Sequence, residues 1–222
     1  GMRALQEADF VLWAGSLVPD EVLQWTPAEC EIVDSAGLAL DEQVRLMAEA
    51  WGAGRRVVRL HTGDPALFGA TAEQWELLDE AGIPYAVIPG VSSLFAVAAA
   101  LPAELTLPEV SQTVIVCRAA GRAPVPDGQD LASLAAHRAT MAIFLSAAHH
   151  EAVQAQLLVH YPPETPAAIV QRASWKDERV ERCTVGTLAE TFAESGIDRT
   201  AMILVGESLA GAKGRRSHLY DA

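Results

Sequence analysis

Two short loops hold the residues whose types and spacing could do chemistry. The first is Thr62-Gly63-Asp64-Pro65, with Leu67 and Gly69 just beyond it. Its glycines would let a ligand approach backbone amides, and Asp64 offers a carboxylate to ligand hydroxyls or amines. The same residues are ordinary material for a strand-to-helix turn, because Asp bonds its own backbone and Pro fixes φ. The second loop is Pro89-Gly90-Val91-Ser92-Ser93. Its two hydroxyls either cap the following helix or stand beside a ligand lying on free helix N–H groups. Neither loop is the G-x-G-x-x-G of dinucleotide folds, and no Walker loop occurs. Taken alone, each loop reads more readily as structure than as a binding site. Together they point to a ligand cleft, since both follow predicted strands and open α/β sheets bind ligands beyond strand ends.

Other reactive residues form no constellation. His149 and His150 are adjacent, so a helix points them apart, and His61, which precedes the first loop and could touch a ligand, reads more readily as a structural histidine. Cys30, Cys117 and Cys183 are far apart and form no C-x-x-C pair, which suggests buried reduced thiols and neither a disulfide framework nor a zinc site. No G-x-S-x-G elbow or Cys/His pairing signals covalent catalysis, and no residue stands out as a catalytic acid or base. Arg118, Arg122, Arg138 and Arg172 fall near predicted strand ends in the second half of the chain. Gathered in a cleft they would bind several carboxylates; scattered, they serve solubility.

Strands and helices must position these groups. A helix is expected to end near Glu7, followed by a strand over residues 8–13 and a short helix over 19–25. A strand at 31–34 precedes a helix capped by Asp41, with Val44, Met47, Ala48 and Trp51 on its buried face. The central stretch reads as strand 57–61, first loop, helix 71–80, strand Tyr85-Ala86-Val87-Ile88, second loop, and a helix of small residues to about Leu101. Beyond a hinge near 106–111, β-rich runs at 113–118, 141–146, 167–171 and 201–205 alternate with helices at 131–137, 149–160 and 187–194. Residues 178–185 alternate charged and apolar, as an antiparallel strand with one exposed face does. The expected class is α/β, with lobes at 1–107 and 108–222.

The chain has 222 residues, half of them hydrophobic, and a formal net charge of −13. That charge argues against nucleic acid, while a local arginine cluster could still hold an anionic small ligand. No apolar run approaches a membrane span and no signal peptide is visible, so a cytoplasmic protein is expected. Gly1 reads as an expression remnant ahead of Met2, and Lys213-Gly214-Arg215-Arg216 as a solvated tail.

Taken together, these segments resemble the tetrapyrrole (corrin/porphyrin) methyltransferase family. The marks of the family are Thr62-Gly63-Asp64-Pro65 with Leu67 and Gly69, and Ile88 to Ser93. Residues 14–18, 104–113, 137–146, 172–175 and 200–206 further resemble its precorrin-4 C-11 methyltransferase branch. The resemblance implies two α/β lobes with S-adenosylmethionine folded between them. It implies cofactor contacts at Thr62, Gly63, Asp64, Leu67, Ser92, Ser93, Leu145, Ala173 and Ala201. It implies methyl transfer to a ring carbon of precorrin-4 or its cobalt form in cobalamin biosynthesis. The arginines would then hold substrate carboxylates, S-adenosylhomocysteine would be the product, and the protein would be a homodimer. Members of the family begin with a strand and a Gly-Pro-Gly-Asp-Pro-type loop that this chain lacks. The expectation is that two strands lose a ladder partner and that turnover is weakened. The competing readings are a non-catalytic dimer that only binds the cofactor, and a methylase of the same family acting at another ring position.

Overall fold

The computed structural model describes residues 1–15, 17–121 and 123–211. The chain divides into two compact units, Gly1–Ser92 and Ser93 onward.

In the first unit, helix α1 (Met2–Gln6) leads into strand β1 (Phe10–Trp13), and a 3₁₀ turn over Asp20–Trp25 precedes β2 (Glu31–Asp34). Helix α2 (Leu40–Gly52), strand β3 (Val57–Leu60) and helix α3 (Thr71–Glu80) follow. The sheet is wholly parallel, in the order β2-β1-β3. Its central strand is buried on both faces. Phe10 and Leu12 pack with Val44, Met47, Leu78 and Ile83, while Val11 packs with Leu5 and Ala8 on the other face, following the two-residue alternation of strand side chains.

Helix α2 departs from the sequence reading in two respects. Ala39, not Asp41, is the N-cap, and Asp41 lies in the first turn. The buried face is Val44, Met47 and Ala50, with Trp51 turned to solvent. Gly54 ends the helix at φ 78°, where a residue with a Cβ would be strained.

The expected strand Tyr85-Ala86-Val87-Ile88 does not form. Residues 84–91 belong to no strand and all are exposed, Val91 by 74%. An apolar run of this kind needs a strand beside it to satisfy its backbone groups and cover its side chains. Among the described residues none lies there, and β3 pairs with β1 alone.

The second unit contains α4 (Ser93–Ala100), β4 (Val114–Arg118), α5 (Leu131–Ala135), β5 (Thr140–Phe144), α6 (His150–Leu157), β6 (Pro166–Gln171), β7 (Arg179–Thr184), α7 (Leu188–Ser195) and β8 (Ala201–Val205). Its sheet has the order β4-β5-β8-β6-β7 and is antiparallel except for β4 with β5. Met141, Ile143, Ile169, Ile203 and Val205 face a core shared with Leu131, Val153, Leu157, Leu188 and Phe192 from α5, α6 and α7. Ala142, Ala168, Val170 and Leu204 face the other way and meet Leu94 and Val97 of α4, with Leu101 just beyond it. This packing places α4 in the second unit, so the chain divides after Ser92, earlier than the expected boundary at 107. The charged–apolar stretch forms β7, antiparallel to β6 at the sheet edge, as its alternation implied.

Candidate functional site

In the first unit all three strands run the same way, so the loops after Trp13, Asp34 and Leu60 share one edge. The loop after β3 is wound tightly on itself. Asp64 Oδ1 accepts the Ala66 N–H at 2.9 Å, and the Thr71 hydroxyl donates to the Pro65 carbonyl at 2.9 Å. A Cβ at Gly69 would stand 2.8 Å from the Pro65 carbonyl oxygen, so glycine is required there. Gly63 (φ 59°), Phe68 (φ 52°) and Ala70 (φ 48°) adopt left-handed backbone, which costs about 1–3 kcal/mol at each non-glycine position. Such strain is characteristic of ligand loops. Thr62, Gly63 and Leu67 are exposed and Asp64 is half-buried.

The second loop is joined to the first. Asp64 Oδ2 accepts the Gly90 N–H at 2.9 Å, and a Cβ at Gly90 would fall 2.0 Å from the Gly63 carbonyl oxygen. The structure thus brings Gly63, Asp64 and Gly90 into direct contact, with buried Ser92 two residues further on. The exposed hydroxyl of Ser93 opens α4 in the second unit.

In the second unit, β4, β5 and β6 end at the edge where β8 begins. Leu145, Ala173 and Ala201 therefore lie at one sheet edge, and Gln171 pairs directly with Ala201. Left-handed backbone gathers here as well, at Leu145 (φ 54°), Arg172 (φ 50°), Ser174 (φ 70°) and Thr200 (φ 53°). Leu145 is 70% exposed, so its strained conformation is not repaid by burial. Buried Ser146 links two strand ends, donating to the Phe144 carbonyl at 2.6 Å and accepting from the Ala119 N–H at 2.8 Å.

The arginines divide between the two edges. Arg118 and Arg172 end β4 and follow β6 at the strained edge, whereas Arg138 precedes β5 at the opposite edge and is not brought together with them. Arg122 lies outside the described residues, as do residues 213–216. Arg118 donates to the carbonyls of Ala119, Ala123 and Pro124 at 3.2, 2.9 and 2.8 Å, which folds its own loop around it. Arg172 pairs with Asp177 and stacks over Trp175 at 5.6 Å.

Among the described residues no group of three or more His, Cys, Asp or Glu could hold a metal ion. His150 bonds the Ala147 carbonyl at 2.9 Å and stacks on Phe192 at 4.9 Å, a structural role. Burial, then the neighbouring Arg59 guanidinium, push the His61 pKa down to about 4, against a weaker opposing hydrogen bond to Gln74. Burial pushes the Cys117 thiol up to about 12, which removes it as a nucleophile.

Sequence reasoning missed one participant, Asp34. At the end of β2 its Oδ1 accepts N–H groups from Gly15 at 3.0 Å and Ala36 at 2.9 Å. A carboxylate at a predicted strand end, two residues before a small one, was the available signal.

Both units are α/β, and each carries strained, exposed loops at strand ends, the arrangement of an α/β ligand-binding protein. The sequence model of the tetrapyrrole (corrin/porphyrin) methylases matches residues 1–189. The chain belongs to that family. It is 47% identical, over its whole length and 86% of the relative, to cobalt-precorrin-4 C(11)-methyltransferase of Methanocaldococcus jannaschii. It is 46% identical, over its whole length and 88% of the relative, to precorrin-4 C(11)-methyltransferase of Pseudomonas aeruginosa. An X-ray structure of a cobalt precorrin-4 methyltransferase superposes with a TM-score of 0.91 at 42% identity, covering 94% of this chain and 87% of that one. A uroporphyrin-III C-methyltransferase from Thermus thermophilus, complexed with S-adenosylhomocysteine, superposes at 0.77 with 28% identity, covering 94% and 90%.

Proposed function

We propose that this chain transfers a methyl group from S-adenosylmethionine to ring carbon 11 of precorrin-4 or cobalt-precorrin-4 in cobalamin biosynthesis. The observation that carries the reading is whole-length identity of 46–47% to relatives bearing those two names. The residues present suit such a cofactor. Thr62 and Ser93 offer hydroxyls, Leu67 and Leu145 offer exposed apolar surface, and the glycine-rich turn offers backbone at close range. We assign the cofactor to Thr62, Gly63, the backbone of Asp64, Leu67 and Ser92 of the first unit, and to Ser93, Leu145, Ala173 and Ala201 of the second.

When bound, the cofactor supplies an electrophilic methyl on a sulfonium. The chain's part is to hold and orient, which agrees with a sequence that carries no nucleophile motif, because a fixed near-attack geometry is worth several kcal/mol. The electron-rich ring carbon of the substrate does the attacking, so no covalent intermediate on the chain is required. Arg118 and Arg172 are assigned to substrate carboxylates, each with its fork already fixed by contacts within the chain. The working form is proposed to be a cytoplasmic homodimer; no described helix is long and apolar enough to cross a membrane.

The test is incubation with S-adenosylmethionine and each substrate form, with the product identified by mass and by methyl position. A product one methyl heavier at carbon 11 supports the proposal, and methylation elsewhere on the ring refutes it. A second reading, a dimer that binds the cofactor without turnover, is favoured by the outer edge of β3, which pairs with no further strand among the described residues, and by the exposed run at 84–91. Binding of S-adenosylhomocysteine without methyl transfer would select it.

A further inference from the structure

We infer that Asp64 is a positioning residue that locks the two loops of the first unit together. It acts on the cofactor through the backbone of Gly63 and Gly90, not through its own carboxylate. The inference rests on the cofactor assignment above.

The two carboxylate oxygens do different work. Oδ1 winds the first loop by accepting Ala66 N–H, and Oδ2 reaches 26 residues along the chain to Gly90 N–H, both at 2.9 Å. The backbones touch at this point. A Cβ on Gly90 would meet the Gly63 oxygen at 2.0 Å, its carbonyl carbon at 3.1 Å and Asp64 Cα at 3.5 Å. No strand ladder holds residues 84–91 among the described residues; Tyr85 is held at one end by Trp75 and Asp79, and the junction with Asp64 ties the other end, at Gly90, to the first loop. Only a carboxylate suits it. Both acceptors must face N–H donors, and an amide presents one oxygen and an NH₂ that would oppose the second donor. Hydrogen bonds to an ionised acceptor are also the stronger kind.

The test is calorimetric titration of the whole chain with S-adenosylhomocysteine and with methylthioadenosine, which lacks the amino-acid end. The proteins are wild type, Asp64→Asn, Gly90→Ala and the double variant. Asp64→Asn should weaken both ligands by the same factor, roughly tenfold or more. Gly90→Ala should do likewise by wedging the loops apart, and the double variant should be little worse than either single one. In methyl-transfer assays Asp64→Asn should raise the KM for the cofactor more than it lowers kcat. Loss for one ligand only, or additive losses in the double variant, would overturn the inference in favour of a direct contact by the carboxylate. Unchanged affinity in Asp64→Asn would overturn it outright. Should Asp64→Asn fail to fold, Gly90→Ala carries the test, and unchanged affinity there refutes a locked junction. No binding by the wild type would sink the cofactor assignment itself, a result distinct from all of these.

Discussion

His61 makes the stability of the first unit depend on pH in a predictable direction. Its pKa falls from 6.5 to about 4 in the folded chain, first through burial and then through Arg59. Between these values the unfolded chain binds the extra proton and the folded chain does not. Stability is therefore full above about pH 6.5 and is lost as pH falls toward 4. At 1.36 kcal/mol per pH unit the ceiling down to pH 5 is about 2 kcal/mol. His61 keeps some solvent contact, so about half of that, roughly 1 kcal/mol, is the working figure. Four of the five tryptophans, Trp13, Trp25, Trp51 and Trp75, lie in the first unit, so fluorescence follows its urea unfolding. With a slope near 2 kcal/mol per molar, the midpoint should drop by about 0.5 M between pH 7 and pH 5. His61→Gln should lose that drop while keeping the contribution of the exposed carboxylates. Parallel curves for wild type and His61→Gln would show that the ring titrates as a solvated histidine, and the burial argument would fail.

Three further outcomes follow from the packing. Ile203, fully buried on the central strand of the second sheet, should cost about 3–4 kcal/mol when replaced by Ala, read by denaturant unfolding. Val87 is 48% exposed within the unladdered run, so Val87→Lys should reduce concentration-dependent light scattering without lowering the melting temperature. Leu145→Asn should change stability by less than about 1 kcal/mol, because Asn tolerates left-handed backbone and little burial is lost. The same variant should weaken S-adenosylhomocysteine binding if Leu145 contacts the cofactor, and a titration with unchanged affinity would remove it from the site.

Elements whose register is fixed by local pattern were legible. The strands at 31–34, 57–60 and 201–205, and the helix at 71–80, lie where turn residues and apolar runs put them. Tyr85 to Ile88 failed for a physical reason: its composition describes a strand with neighbours on both sides, and a strand exists only through its neighbours. The packing of α4 was illegible for a related reason. Small apolar residues around its whole circumference name no face, and the sheet that α4 covers lies more than forty residues further along in part.

The two aspartates at the strand ends show where legibility stops. Asp64 bonds Ala66 and Asp34 bonds Ala36, each accepting the N–H two residues on. That half of the interaction is written in the sequence, since Asp followed by a turn is an Asx signal. The other half is not. Asp34 also accepts Gly15 N–H and Asp64 also accepts Gly90 N–H, from loops 19 and 26 residues away. Each distant partner is a glycine whose absent side chain makes the approach possible: a Cβ at Gly15 would stand 2.6 Å from the Asp34 carboxylate. The same device occurs twice along the C-terminal edge of one parallel sheet, tying the loop after β1 to the end of β2 and the loop after β3 to residue 90. A ligand resting on this edge meets loops held to one another by carboxylates. Their alignment therefore depends on acceptors that need not touch the ligand.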